Sequence, residues 1–126
     1  MIAISGWGRT EHGSPDILQQ AMLPIASHEA CKRKYGSVQR YAHLCAGKAQ
    51  SGAAGGCNGD SGGPLVCEED GSWVLHGAVS FGRRNCPTTH YTVFARVNGF
   101  IKWIYEKIGG KFRNLPQQRF VQVGVF

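Results

Sequence analysis

The sequence predicts a single all-β domain of short antiparallel strands, with one helix near its carboxyl end. Glycine accounts for 18 of the 126 residues, about twice its usual share of 7%. Charged residues make up 17% of the chain, below the usual share of roughly 25%. From Ile2 to about Gly109, short apolar segments alternate with glycine-rich or polar turns, which is typical of a small antiparallel barrel or sandwich.

The strands are recognised by their residue pattern. In WVLHGAVSF, residues 73–81, the side chains alternate with the period of two that a strand requires. GPLVC, residues 63–67, and YTVFARV, residues 91–97, predict two more strands. The intervening EEDG, residues 68–71, predicts a hairpin turn rather than a calcium site, because it lacks the ligand spacing of a calcium loop.

Two segments predict helices. SHEACKRKY, residues 27–35, predicts a short surface helix with Ser27 as its N-cap. NGFIKWIYEKIGG, residues 98–110, predicts a longer helix that begins after Asn98 as the N-cap and stops at Gly109. We interpret residues 1–110 as one domain. Residues 111–126 form a C-terminal extension that we expect to be disordered, with an added edge strand as the alternative.

Composition also limits the classes of partner. The formal charge is +6, but the basic residues form short scattered groups without interleaved aromatic residues, so we expect no nucleic acid partner. There is no apolar run of the length that spans a membrane, so we expect no membrane partner either. The five cysteines show no zinc-ligand spacing. They indicate disulfides, an oxidising compartment and no metal, although the residues alone leave several pairings open.

The segment GGCNGDSGGPLVC, residues 55–67, indicates a serine nucleophile in a glycine-built turn. Gly59, Ser61 and Gly63 satisfy the bare G-x-S-x-G pattern of the α/β-hydrolases. That pattern requires a helix directly after the serine. Here Pro64 opens a segment that reads as a strand, so the structural context of that motif is missing.

A longer set of motifs is more specific. GDSGGPLVC is preceded by GGCN and followed by WVLHGAVSFG, a cysteine, VFARV and an apolar helix, with SGWG and HLCAG upstream. Over about Ile4 to Ile108 the chain resembles the second half of a trypsin/chymotrypsin-family serine protease, in particular the chymotrypsin-like and elastase-like members. The resemblance implies the second six-stranded antiparallel β-barrel of the trypsin-like fold with a C-terminal helix, the first barrel being absent.

The resemblance implies a role for each residue around the serine. Ser61 would attack the scissile carbonyl, and the backbone N–H groups of Gly59 and Ser61 would form the oxyanion hole. Glycine at position 59 can adopt a backbone conformation that other residues find strained. Asp60 would pair with a new N-terminal ammonium that activation cleavage creates.

The base that activates the serine is not at a matching position. In the family, the catalytic histidine and its orienting aspartate both precede the segment that this chain resembles. The histidines of this chain are His12, His28, His43, His76 and His90. The nearest rival is His76, which shares a strand face with Ser80, and we expect it to be structural. The isolated chain is therefore expected to be inactive, and we expect the base on an upstream half.

The resemblance also implies a substrate pocket. Gly55 stands where a charged residue would select lysine or arginine, Gly82 leaves one wall open, and Thr92 shortens the pocket. Ser80, Phe81 and Gly82 would pair with the substrate backbone as an added strand. The pocket should therefore accept neutral, medium-sized apolar side chains.

The family pattern pairs Cys31 with Cys45 and Cys57 with Cys86. Cys67 would bond a position that is Ile2 here, so it is expected to be free. The function implied is a secreted, extracellular serine endopeptidase without a cofactor, with a signal peptide expected upstream of this fragment. Its partners would be protein or peptide substrates, the N-terminal barrel of the same protease and protein protease inhibitors. The alternative is a non-catalytic fragment or decoy that acts as a binding scaffold.

Overall fold

A computed structural model describes residues 1–109, so the predicted extension over 111–126 lies outside the described residues. In chain order the elements are β1 (Ile2–Gly6), β2 (Gln19–Leu23), α1 (His28–Lys34), β3 (His43–Ala46), β4 (Pro64–Glu69), β5 (Ser72–Phe81), β6 (Thr92–Arg96), a 3₁₀ turn (Val97–Phe100) and α2 (Ile101–Ile108).

The six strands form one antiparallel sheet in the order β2-β1-β4-β5-β6-β3. Its two outer strands meet just beyond β2, where Ile25 and Ala46 form an antiparallel bridge. There the Ala26 N–H donates to the Cys45 carbonyl at 2.9 Å, and the Gly47 N–H donates to the Pro24 carbonyl at 2.9 Å. The sheet therefore closes on itself, and the predicted six-stranded antiparallel barrel with a C-terminal helix is confirmed.

The core fills the inside of this barrel with the inward side chains of alternate strand positions. Phe94 and Leu65 are fully buried, and Ile2, Ile4, Leu23, Leu44 and Val79 pack around them. A smaller cluster under α1 contains Cys31, Val38, Cys45 and Val93. These clusters pack β4, β5 and β6 against one another, and the loops around the serine start from these strands.

The helix predictions are confirmed except for one cap. The Ser27 hydroxyl accepts a hydrogen bond from the Ala30 N–H at 3.1 Å and caps α1. Gly109 ends α2 in the left-handed region with φ 62°. Asn98 as the N-cap of α2 was wrong. It lies inside the 3₁₀ turn that leads directly into α2, which begins at Ile101 with Phe100 at the N-cap position and no side-chain cap.

The predicted hairpin turn between β4 and β5 is confirmed. Asp70 and Gly71 both have positive φ, 50° and 78°, as a tight two-residue hairpin turn requires. Among residues 1–109, no helix has the length and apolar character to cross a membrane. The same part of the chain contains no grouping of three or more His, Cys, Asp or Glu side chains able to hold a metal ion.

Candidate active site

The serine lies on a loop of consecutive tight turns between a disulfide and β4. The Asp60 N–H donates to the Cys57 carbonyl at 2.9 Å, and the Gly63 N–H donates to the Asp60 carbonyl at 2.8 Å. Gly59 and Gly62 have φ of 97° and 81°, values that a residue with a side chain adopts only with strain. These turns leave Ser61 exposed at the tip of the loop.

The Asp60 carboxylate fastens this loop to the segment that follows β1. One oxygen accepts from the Gly8 N–H at 2.8 Å, and the other accepts from the Cys57 N–H at 2.9 Å. A Cβ at Gly6 or Gly8 would lie 2.0 or 2.2 Å from the carboxylate oxygens. Because no side chain fits there, both glycines of SGWG are needed for the approach of Asp60.

Some backbone N–H groups of the serine loop are hydrogen-bonded within the protein and others are not. The N–H groups of Asp60 and Gly63 close turns, and that of Gly62 donates to the Val79 carbonyl at 2.8 Å. Within residues 1–109, the N–H groups of Gly59 and Ser61 have no acceptor. Two free donors therefore flank Asp60, next to the serine hydroxyl, and such donors can stabilise an oxyanion.

The edge of β5 is open beside the serine. The ladder between β4 and β5 ends at the pair Pro64 and Ala78, after which only the two bonds between Val79 and the loop continue it. Phe81 pairs with Val93 of β6 on the other side. Ser80 and Gly82 are exposed. An extended peptide can therefore add as a strand along residues 80–82, with Ser61 at one end.

The residues expected to line the substrate pocket fall into two groups. Thr92 is only 6% exposed, and its hydroxyl accepts from the Gly56 N–H at 2.9 Å. A Cβ at Gly55 would lie 3.2 Å from the same hydroxyl. The structure thus brings Gly55 and Thr92 together.

Gly82 forms the second group. A Cβ there would lie 3.9 Å from both the Tyr35 hydroxyl and the Tyr91 carbonyl. The Cys57–Cys86 bridge connects the two segments that carry Gly55 and Gly82. The position of Tyr35 next to Gly82 was not predicted from the sequence. Its only sequence signal is one aromatic residue at the end of a short helix.

Both cysteine pairs that the resemblance implies are bonded, Cys31 with Cys45 and Cys57 with Cys86. Cys67 is free, and its Sγ lies 3.8 Å from the carbonyl oxygen of Met1. The first bridge fastens α1 to β3, and the second fastens the serine loop to the segment after β5. Both therefore stiffen the surroundings of the site.

No histidine within residues 1–109 donates to or accepts from Ser61. His76 interacts with Glu69 at 2.9 Å, near the turn of the β4–β5 hairpin, and Nδ1 of His43 accepts from the Gln39 N–H at 2.8 Å. His90 contacts the hydroxyl of Thr89 at 3.2 Å.

A shallow concavity of about 170 Å³ borders Ser61, with Trp7, Leu18 and Pro64 in its wall.

A closed six-stranded barrel with a C-terminal helix and an exposed serine on a glycine-built loop is the second half of a trypsin-like fold. The trypsin family model matches residues 1–104, so the chain belongs to the trypsin family.

Three relatives support this assignment. Chymotrypsin-like elastase family member 3B of Homo sapiens is 47% identical over 112 residues, 83% of this chain and 40% of that protein. Chymotrypsin-C of Rattus norvegicus is 45% identical over 112 residues, 83% of this chain and 41% of that protein. Proproteinase E of Bos taurus is 47% identical over 112 residues, 83% of this chain and 43% of that protein. The chain thus spans about two fifths of the length of these relatives.

Proposed function

We propose that this chain carries the nucleophile half of a secreted serine endopeptidase. The observation that supports this most directly is the placement of Ser61. Its hydroxyl is exposed at the tip of a loop that Asp60 fastens, between two free backbone donors and beside an open strand edge. A protease-type acyl transfer needs these three features next to each other.

In the proposed reaction, the Ser61 oxygen attacks the carbonyl carbon of the scissile peptide bond, and its proton passes to a general base. The carbonyl oxygen becomes an oxyanion that accepts hydrogen bonds from the N–H groups of Gly59 and Ser61. The amine leaves with a proton from the same base, and water then hydrolyses the acyl-enzyme. No described histidine reaches Ser61, and we propose that the base and its orienting aspartate belong to the N-terminal barrel of the same protease.

The proposed specificity is for neutral apolar side chains before the scissile bond. Gly55 contributes no charge to this pocket, and the buried Thr92 occupies space in its wall. A lysine or arginine side chain would lose its hydration there without gaining a carboxylate partner, which costs several kcal/mol. Leucine and methionine should therefore be preferred, and phenylalanine tolerated.

Asp60 has a further role in this proposal. Its carboxylate already accepts two backbone N–H groups, and a carboxylate oxygen can accept more than one hydrogen bond. We propose that an N-terminal ammonium, created by activation cleavage, adds to these donors and completes the loop. The proposed partners are protein or peptide substrates, the N-terminal barrel of the same protease and protein protease inhibitors. The two disulfides support an extracellular location.

The test is complementation. The chain is combined with the first-barrel segment of the human elastase relative, and cleavage is measured on peptides that differ only at the residue before the scissile bond. Peptides with leucine or methionine should be cleaved, those with lysine or arginine poorly, and the Ser61→Ala variant should cleave none. Activity that survives Ser61→Ala would refute the role of Ser61.

A second candidate function is a non-catalytic, protease-like binding scaffold. It is favoured by the engagement of His76 with Glu69, which leaves Ser61 without a base inside the described chain. The same experiment separates the two. A properly folded complex that binds substrate peptides or inhibitors but cleaves nothing would support the scaffold.

A further inference from the structure

Two basic segments meet next to the open strand edge. Lys34 is the last residue of α1, and Arg83 and Arg84 follow Gly82 directly. We call these three residues the basic rim. The segments meet through Tyr35, whose ring lies 5.7 Å from that of Phe81 and whose hydroxyl donates to the Tyr91 carbonyl at 2.8 Å.

The charges of the basic rim are not neutralised within the described chain. Lys34, Arg83 and Arg84 are all exposed. The ion pairs of residues 1–109 are His12 with Glu11, Arg40 with Glu29 and His76 with Glu69, and none of them includes a rim residue. The rim is therefore a local excess of positive charge.

The surroundings of His90 indicate that the two basic segments lie near each other. Its ring lies 5.9 Å from the Tyr35 ring. Partial desolvation, and then the positive charges of Lys34 and Arg83, lower the pKa of His90 below its ordinary value.

The geometry of the strand edge decides which part of a substrate would face the rim. Ser61 lies at the Val79 end of the edge. There the Gly62 N–H donates to the Val79 carbonyl, and the Val79 N–H donates to the Gly63 carbonyl. In the proposed function, the side chain before the scissile bond enters the pocket at Gly55 and Thr92, so the three residues before that bond lie along residues 80–82. At about 3.4 Å per residue, the fourth and fifth residues before the bond pass Gly82 and reach Arg83, Arg84 and Lys34.

We propose that the basic rim selects substrates with acidic residues at the fourth and fifth positions before the scissile bond. This inference rests on the proposed function, because it uses the same serine and strand edge. An exposed ion pair strengthens binding by about 1.5- to 5-fold. Two acidic residues should therefore strengthen binding by about 2- to 25-fold at low ionic strength. Salt screens exposed charges, with a Debye length of about 3 Å at 1 M, so the preference should disappear near that concentration.

The test uses the full 126-residue chain and needs no catalysis. Two fluorescently labelled peptide amides, Glu-Glu-Ala-Ala-Leu and Gln-Gln-Ala-Ala-Leu, are titrated by fluorescence anisotropy. We expect the acidic peptide to bind more tightly, and we expect the ratio of the two Kd values to fall to about one at high salt.

Charge variants locate the effect. The double variant Arg83→Gln, Arg84→Gln leaves only Lys34 in the rim, so it should remove most of the difference between the two Kd values. Its affinity for the neutral peptide should be unchanged, which also shows that the variant is folded. The matched control Lys102→Gln, Lys107→Gln removes the same charge from α2 and should keep the ratio. The conservative variant Arg83→Lys should keep most of it.

Each other outcome has a distinct meaning. Equal binding of both peptides to the unaltered chain would overturn the acidic preference and leave the proposed peptide site standing. A double variant that keeps the full ratio would overturn the assignment to the basic rim. If neither peptide binds, the substrate site of the proposed function is refuted together with this inference.

Discussion

The serine loop and the C-terminal helix differ in how their contacts are completed. The loop over residues 57–63 makes bonds to the segment after β1 and to β5, and Asp60 reaches Gly8 across 52 positions of sequence. In contrast, α2 has no buried residue, and the side chain of Trp103 is 56% exposed.

Both regions were recognised from local sequence, yet the loop is bonded to two distant segments, whereas the apolar face of α2 is only partly buried. Most helices in proteins are stabilised by packing of an apolar face, and a helix of this length is marginal without it. A clear local signal therefore does not measure how much an element contributes to stability. The serine loop should therefore be sensitive to single substitutions, whereas α2 should tolerate them.

The largest expected effect concerns chemistry rather than stability. If the loop is fully formed but has no base, the purified 126-residue chain should not be labelled at Ser61 at a protease-like rate. Loss of triad members in this enzyme class leaves only about 10³- to 10⁴-fold catalysis over water. Burst titration with an active-site acylating reagent measures this. Stoichiometric, rapid labelling would mean that an internal base exists, and His76→Ala would be examined first.

The next effect tests the anchor of the loop. Asp60→Ala removes the acceptors of the Gly8 and Cys57 N–H groups. An unsatisfied, partly buried donor costs about 1–3 kcal/mol, so with two such donors the free energy of unfolding should fall by about 2–6 kcal/mol. Urea denaturation followed by circular dichroism gives the value. The control Asp16→Ala, at an exposed position, should change stability by less than about 0.5 kcal/mol. Equal values for the two variants would show that the loop does not depend on this anchor.

A smaller effect is expected on the pocket side of the same loop, in the complemented protein. Thr92→Gly should deepen the pocket and shift preference towards phenylalanine and tyrosine. Differences of one or two methylene groups correspond to about 1–3 kcal/mol, or roughly 10- to 200-fold in kcat/KM. The control Thr92→Val keeps the shape and removes the acceptor of the Gly56 N–H, so it should lower stability while preserving the preference. No gain for large aromatic residues in Thr92→Gly would exclude Thr92 from the pocket.

The smallest effect on the free energy of unfolding is expected in α2. Trp103→Gln on α2 should change the free energy of unfolding by less than about 0.5 kcal/mol, because an exposed side chain loses little burial. Phe94→Ala in the barrel core, where the side chain is fully buried, should cost about 3–5 kcal/mol. A loss above about 2 kcal/mol for Trp103→Gln would show that the Trp103 side chain contributes to stability through packing, and the expected tolerance of α2 would be wrong.

The sequence alone determined the class of the fold, most elements and the identity of the serine loop. Alternation over 73–81, the Ser27 cap and the Gly109 stop depend on interactions within a few residues, so they are readable locally. The role of Asn98 was misread because a 3₁₀ turn that includes Asn98 leads directly into α2, so the helix does not begin there. Within that turn, Gly99 lies so close to the Tyr41 carbonyl that no Cβ would fit.

Only the tertiary structure decided which residues meet at the site. The bond from Gly8 to Asp60, the contact of Gly55 with Thr92 and the meeting of Tyr35 with Phe81 join positions that are 52, 37 and 46 residues apart. Such contacts depend on strand register and barrel closure, and a register slip of one residue would turn each side chain to the other face. The physical reason is that a motif specifies the local turn, whereas the partners of that turn are set by the closure of the whole barrel.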